Sequence, residues 1–322
     1  MALARLGLLA WFAWLGAGCA EGGDRFCQLG AERTVARSVA LEFDGIELLP
    51  WGDGALALWS DSGGLFARAL DRDAQPTGEA RRVGARCAGG LAVLARDDGL
   101  ELACSSPAAD GKHADGGGLA VYQLDRELRA QRRRRVGAAG PLSAGVALGR
   151  DGRELVVAWH DGAPDAHRVW WASLAAGAEP PRVLSTTGRM AAAPSLAVRD
   201  GQARVAWAER WLHQGELRSR VAYWDGSGTP RNMLPVAHLQ AMPQLIELGG
   251  QPLLAYRDRR GKGDRTGLYL TRVAGRGELV GETARAGRAD GVGRPALAPC
   301  MGGLVTATPR TYGADEVVGP VG

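Results

Sequence analysis

Four acidic residues, Asp61, Asp161, Glu209 and Asp258, each stand two positions after a large aromatic: Trp59, Trp159, Trp207 and Tyr256. Carboxylates gathered at one level could serve as acid and base on a sugar, or grip a cation. The simpler expectation is that each caps its turn or pairs with a nearby arginine, such as Arg68 or Arg257. Asp161, Glu209 and Asp258 are the weak catalytic candidates, and with Asp61, His160 and Trp211 they make up the candidate ligand face. Four of the five histidines, His113, His160, His167 and His213, fall in the same polar stretches. Metal ligation needs three or four donors converging on the ion, and no His-x-His or His-x-x-x-His spacing supplies them. Neither a metal nor a cofactor is expected. No Gly-Lys-Ser/Thr phosphate loop, Gly-x-Ser-x-Gly elbow or His-Glu-x-x-His motif occurs either.

A repeat places these residues. The apolar segments ALALWSD (55–61), LELACSS (100–106), ELVVAWHD (154–161), ARVAWAE (203–209), PLLAYRD (252–258) and GLVTATP (303–309) align on positions 59, 104, 159, 207, 256 and 308. The intervals are 45, 55, 48, 49 and 52 residues. Asp-Gly or Gly-Gly turns precede five of the segments and supply the positive φ of tight hairpins. Third apolar strands follow at LFARALD (65–71), LAVYQLD (119–125), VWWASL (169–174), VAYWD (221–225) and LYLTRV (268–273). Near-continuously apolar second strands must be covered on both faces, which radial stacking of four-stranded sheets achieves. The expectation is an all-β, six-bladed β-propeller of four-stranded antiparallel blades over residues 30–322. The N-terminal strand Glu32–Arg37 would close the last blade; a two-sheet sandwich is the competing fold. The long polar segments after the second strands, such as HDGAPDAHR (160–168) and ERWLHQGELR (209–218), would share one face, where binding usually lives.

Composition agrees with many short strands: 48 glycines and 16 prolines in 322 residues, 46% hydrophobic. The net charge of +4 is scattered and predicts no nucleic-acid partner. Its densest run, Arg132–Arg135, falls on the fourth strand of the second repeat. Charge there discourages edge-to-edge pairing and could also meet anionic lipid heads.

At the N-terminus, Arg5 precedes the apolar run Leu6–Leu15, then Gly16-Ala17-Gly18-Cys19. The run is about half the ~20 residues of a spanning helix, so residues 1–18 read as a cleaved signal peptide. Small residues before Cys19 resemble the lipobox of bacterial lipoproteins, although Gly16 stands where that family usually has a large aliphatic. The resemblance implies a lipidated Cys19, a tether over 19–29 and an exported, membrane-anchored, monomeric protein of the cell envelope. Ala20 points to the outer membrane, on its periplasmic or surface side. The remaining cysteines, Cys27, Cys87, Cys104 and Cys300, allow two disulfides. Cys87 and Cys104 flank antiparallel neighbours; Cys27 and Cys300 could lock the ring shut.

The strand ending Ala-Trp-x-Asp is similar to that of sialidase-like and other bacterial repeat propellers. The sialidase Asp-box is missed by Ser60-Asp61-Ser62-Gly63-Gly64, and no catalytic sialidase motif matches. Fold alone licenses no activity. The expected function is therefore a non-catalytic module binding a protein or glycan, and not an enzyme. The alternative is a glycan-active hydrolase or lyase using the loop-face carboxylates.

Overall fold

The computed structural model describes residues 46–61, 64–71, 75–85, 87, 89–106, 118–136, 144–162, 166–232, 239–248, 251–259, 267–273, 279–288, 296–300 and 303–307. The leader, Cys19, Cys27, His113 and the expected closing strand Glu32–Arg37 lie outside them, and so does the expected Cys27–Cys300 bridge.

All regular structure among the described residues is β. The first sheet is β1 (Ile46–Trp51), β2 (Gly54–Asp61), β3 (Gly64–Leu70) and β4 (Arg81–Arg82). The second is β5 (Gly89–Arg96), β6 (Gly99–Ser106), β7 (Gly118–Asp125) and β8 (Ala130–Val136). The third is β9 (Ala144–Asp151), β10 (Glu154–Asp161), β11 (Arg168–Ser173) and β12 (Arg182–Val183). The fourth is β13 (Met190–Arg199), β14 (Gln202–His213), β15 (Glu216–Trp224) and β16 (Arg231–Asn232). The fifth is β17 (Leu239–Leu248), β18 (Gln251–Arg259), β19 (Gly267–Val273) and β20 (Leu279–Arg288), followed by the pair β21 (Ala296–Cys300) and β22 (Gly303–Ala307). Within each sheet the strands lie in chain order and pair antiparallel. First strands meet in series, β1 on β5, β5 on β9, β9 on β13, β13 on β17 and β17 on β21, as the inner strands of successive propeller blades do.

The repeat signature now has a physical reading. Successive strand residues face opposite sides, so the small residue and its large neighbour serve different interfaces. Cys104, Trp159, Trp207 and Tyr256 pack against the preceding blade, whereas Ala103, Ala158, Ala206 and Ala255 join the cluster on the other side. A large side chain of one blade thus meets the small one of its neighbour. Trp207 and Tyr256 are completely buried, each worth roughly 1.5–3 kcal/mol by area.

Opposite each of these four positions the inner strand carries a bulge. Pairing skips Gly90, Gly145, Ala193-Pro194 and Met242-Pro243. The skipped residues Gly90, Gly145, Ala193 and Met242 have φ of 51°, 62°, 54° and 53°. An extra residue in one strand bends it and increases its twist, and here the bend recurs at one height in four consecutive blades.

In the second blade Cys104 replaces the aromatic. Its sulfur is bonded to Cys87, with Cα atoms 5.6 Å apart and a sequence separation of 17. Closing a loop of that length stabilises by about 3 kcal/mol. Cys104→Ser is therefore expected to lower the melting temperature by roughly 5–10 °C in oxidising buffer. Under reductant that difference should vanish, and a scanning-calorimetry pair showing equal melting temperatures in oxidising buffer would contradict it.

Candidate functional site

The residue two places beyond each aligned aromatic shares its face, so the carboxylates stand at the loop end of the interface with the preceding blade. Three of them are buried: Asp161 at 8%, Glu209 at 0% and Asp258 at 0% exposure. Asp61 closes β2, paired with Gly64. Of the two simpler roles expected from sequence, Glu209 takes the arginine pairing and Asp161 accepts from the next amide, both buried and not exposed.

Glu209 is fully engaged. Its Oε1 accepts from the Thr186 amide at 3.0 Å and the Trp207 indole at 3.2 Å. Its Oε2 accepts from both Nε and Nη2 of Arg220, at 3.0 and 2.7 Å, and from Arg189 at 3.5 Å. Burial works against the charge, but the Thr186 amide, Arg220 and the Trp207 indole outweigh it and hold the carboxyl below the usual range. A carboxylate so fixed is an anion in the architecture and carries no proton. The guanidinium groups of Arg189 and Arg220 lie 4.3 and 5.4 Å from the ring centre of Trp211, which ties that half-buried indole to the same cluster.

Sequence pointed to Arg68 or Arg257 as partners; the partners of Glu209 are Arg220 and Arg189. Arg220 sits directly across the β14–β15 pair from Glu209. The reason is a second correction. The stretch 209–218, expected as a polar loop, continues both strands into a projecting hairpin. Its two-residue turn is Gln214-Gly215, with φ of 52° and 81°, the positive pair that suits a hairpin's twist.

Blade three supplies the histidines. The rings of His160 and His167 lie 5.2 Å apart, brought together by the antiparallel pairing of β10 with β11, in which Asp161 stands opposite Arg168. His160 follows the aromatic by one, so it faces blade four, where its Nδ1 accepts from the amide of the bulge residue Ala193 at 3.4 Å. A Cβ on Gly145 would fall 2.6 Å from that imidazole; only glycine leaves room for the ring. Asp161 accepts from the Gly162 amide at 2.7 Å. His213 is exposed near the hairpin turn. No group of three or more His, Cys, Asp and Glu side chains is placed to hold a metal ion among the described residues.

The loop face of blades three to five therefore gathers Asp161, His160, His167, Glu209, Trp211 and Asp258 on rigid strand ends. Arg189 and Arg220 escaped the sequence reading. Hairpin register would have found Arg220, and Arg189 carries no signal beyond its place just before an inner strand.

No protein-family model and no curated protein matches this chain. Among solved structures it is similar to the putative TolB of Agrobacterium tumefaciens, with TM-score 0.50 and 15% identity over 79% of this chain and 83% of that one. It is also similar to an endo-1,4-beta-xylanase of Bacteroides thetaiotaomicron, with TM-score 0.44 and 12% identity over 77% and 97%. A third is the alpha-L-arabinanase of Penicillium chrysogenum, with TM-score 0.45 and 13% identity over 72% and 78%. The fold is thus all-β, built of antiparallel four-stranded sheets arranged as in a β-propeller. The expectation of a non-catalytic binding module is corrected here to its alternative as the reading to test: several solved structures of similar course are glycoside hydrolases by name.

Proposed function

We propose that this protein is a glycan-active hydrolase or lyase whose chemistry sits on the loop face, with Asp161 and Asp258 as its reacting carboxylates. The supporting observation is the buried carboxylate at one strand position in three consecutive blades. In blade four it is bound by Arg220 and Arg189 and built into the architecture; the carboxylates of blades three and five are the ones assigned to chemistry. In the hydrolytic form, one carboxyl gives its proton to the leaving glycosidic oxygen while the other carboxylate attacks the anomeric carbon or activates water. His160 and His167, beside Asp161, would steer hydroxyl groups of the sugar. Release of reducing ends from a panel of neutral and acidic polysaccharides tests this. Cleavage of one class is expected, and no release from any by folded protein would contradict the reading.

The same proposal includes the finer architecture: a ring of six blades, the sixth completed by Glu32–Arg37, carried on a lipid at Cys19 in the cell envelope. Two supports are the pair β21–β22, two strands among the described residues where the other sheets have four, and the Leu6–Cys19 leader. Cys19→Ala is expected to move the protein from the membrane fraction to the soluble one. Sedimentation with membranes after a high-salt wash would place the anchor elsewhere.

A further inference from the structure

The interface between blades two and three opens, at the end away from the loop face, into a cavity of about 630 Å³. Glu154 on its rim and Asp161 at the loop end are seven residues apart on β10, about 24 Å of strand, so this is a separate place. Its floor is the end of the interblade core, Val121, Leu155 and Leu174. Its outer wall is β8, seven residues long where β4, β12 and β16 have two. That wall therefore overhangs the short edge of blade three.

Charge converges on the cavity from both blades. Arg132, Arg133 and Arg134 line it from β8, and Arg153 lines it from the β9–β10 turn. Of the two lining carboxylates, Glu101 is already neutralised by Arg96, at 3.2 Å, and by Arg150. Glu154 is the other lining carboxylate beside the four arginines, of which Arg133 lies over the Tyr122 ring at 5.8 Å. Arg134 donates to the carbonyl of Leu174 and so bridges the two blades. Arg132 and Arg153 are exposed and make no ion pair among the described residues. Blunting an exposed edge needs charge on β8 alone; it does not account for Arg153 converging from the neighbouring blade.

We infer that this groove is a binding site for an acidic glycan, a uronate-bearing oligosaccharide. Guanidinium forks pair with carboxylates in two-point geometry, and the Leu155–Leu174 floor suits the apolar face of a sugar ring. A concave slot between two rigid sheets admits a narrow chain, whereas a lipid surface needs a flat or convex face. The inference does not depend on the loop-face carboxylates being catalytic.

The experiment is calorimetric titration of the full chain carrying Asp161→Asn and Asp258→Asn, which leaves the groove intact and excludes cleavage. The probes are a tetragalacturonate, a neutral tetrasaccharide and vesicles containing phosphatidylglycerol. Tetragalacturonate should bind, weaken as salt rises, and weaken at least about tenfold in Arg132→Ala/Arg153→Ala. Both positions are exposed, and an unchanged melting temperature would confirm the fold of that variant. Binding that ignores the arginine variant, equal binding of the neutral sugar, attachment to vesicles alone, or no binding at all would each overturn the inference.

Discussion

Replacing Glu209 by alanine is expected to destabilise the protein by about 3–5 kcal/mol, the usual cost of removing one partner of a buried ion pair. The carboxylate is completely buried, and the Arg220 side chain it pairs with is only 8% exposed. Alanine would strand that guanidinium and leave the Thr186 amide and the Trp207 indole without the acceptor they use now. The connection from blade three to blade four would lose its pin. Glu209→Gln keeps the shape and one acceptor oxygen, so its cost should be smaller. Its pH dependence separates charge from shape. Because the folded carboxyl titrates below its ordinary value of 4.5, its stabilisation is present above that value and is lost as pH falls through the lower, folded one. Urea unfolding between pH 3 and 7 should therefore show a shallower acid loss in Glu209→Gln than in wild type. Parallel curves would mean that Glu209 contributes nothing through its charge.

Asp161→Asn and Asp258→Asn are expected to behave in the opposite way. Each should lower glycan cleavage by roughly 10²–10⁴, the scale of a positioned acid or base, while melting stays within a few degrees of wild type. Asparagine preserves the outline of aspartate and removes only the exchangeable proton and the charge. The loss should fall on kcat, with KM little changed, if the carboxylates act in the transition state and not in holding substrate. A stability loss as large as that of Glu209→Ala would assign them to architecture instead.

The contrast shows what a sequence of this kind displays and what it conceals. The second and third strands were legible because burial on both faces forces continuous apolar runs, and Gly or Asp turns mark their starts. The division of labour between Ala158 and Trp159, or Ala206 and Trp207, was visible as a small–large pair whose meaning is interblade packing. The partners of Glu209 were hidden because 209–218 is mostly polar, with Leu212 and Leu217 exposed on the projecting hairpin, and such a stretch reads as a loop. Without that hairpin there is no register to set Arg220 opposite Glu209. The inner-strand bulges were half visible. Gly90 and Gly145 carry the customary residue for positive φ, but Ala193 and Met242 do not, and the prolines that follow them read as strand breakers. The approach of His160 to His167 depends on the pairing of β10 with β11, whose register the sequence does not fix.

On the proposed function, carboxylates at one strand position divide into an architectural member in blade four and reacting members in blades three and five. Turnover of the Asp161→Asn/Asp258→Asn double variant, beside wild type on the glycan that wild type cleaves fastest, tests it most directly. The expected result is a folded protein, matching wild type in far-ultraviolet dichroism and melting, with no product above background. Turnover within a few-fold of wild type would contradict it.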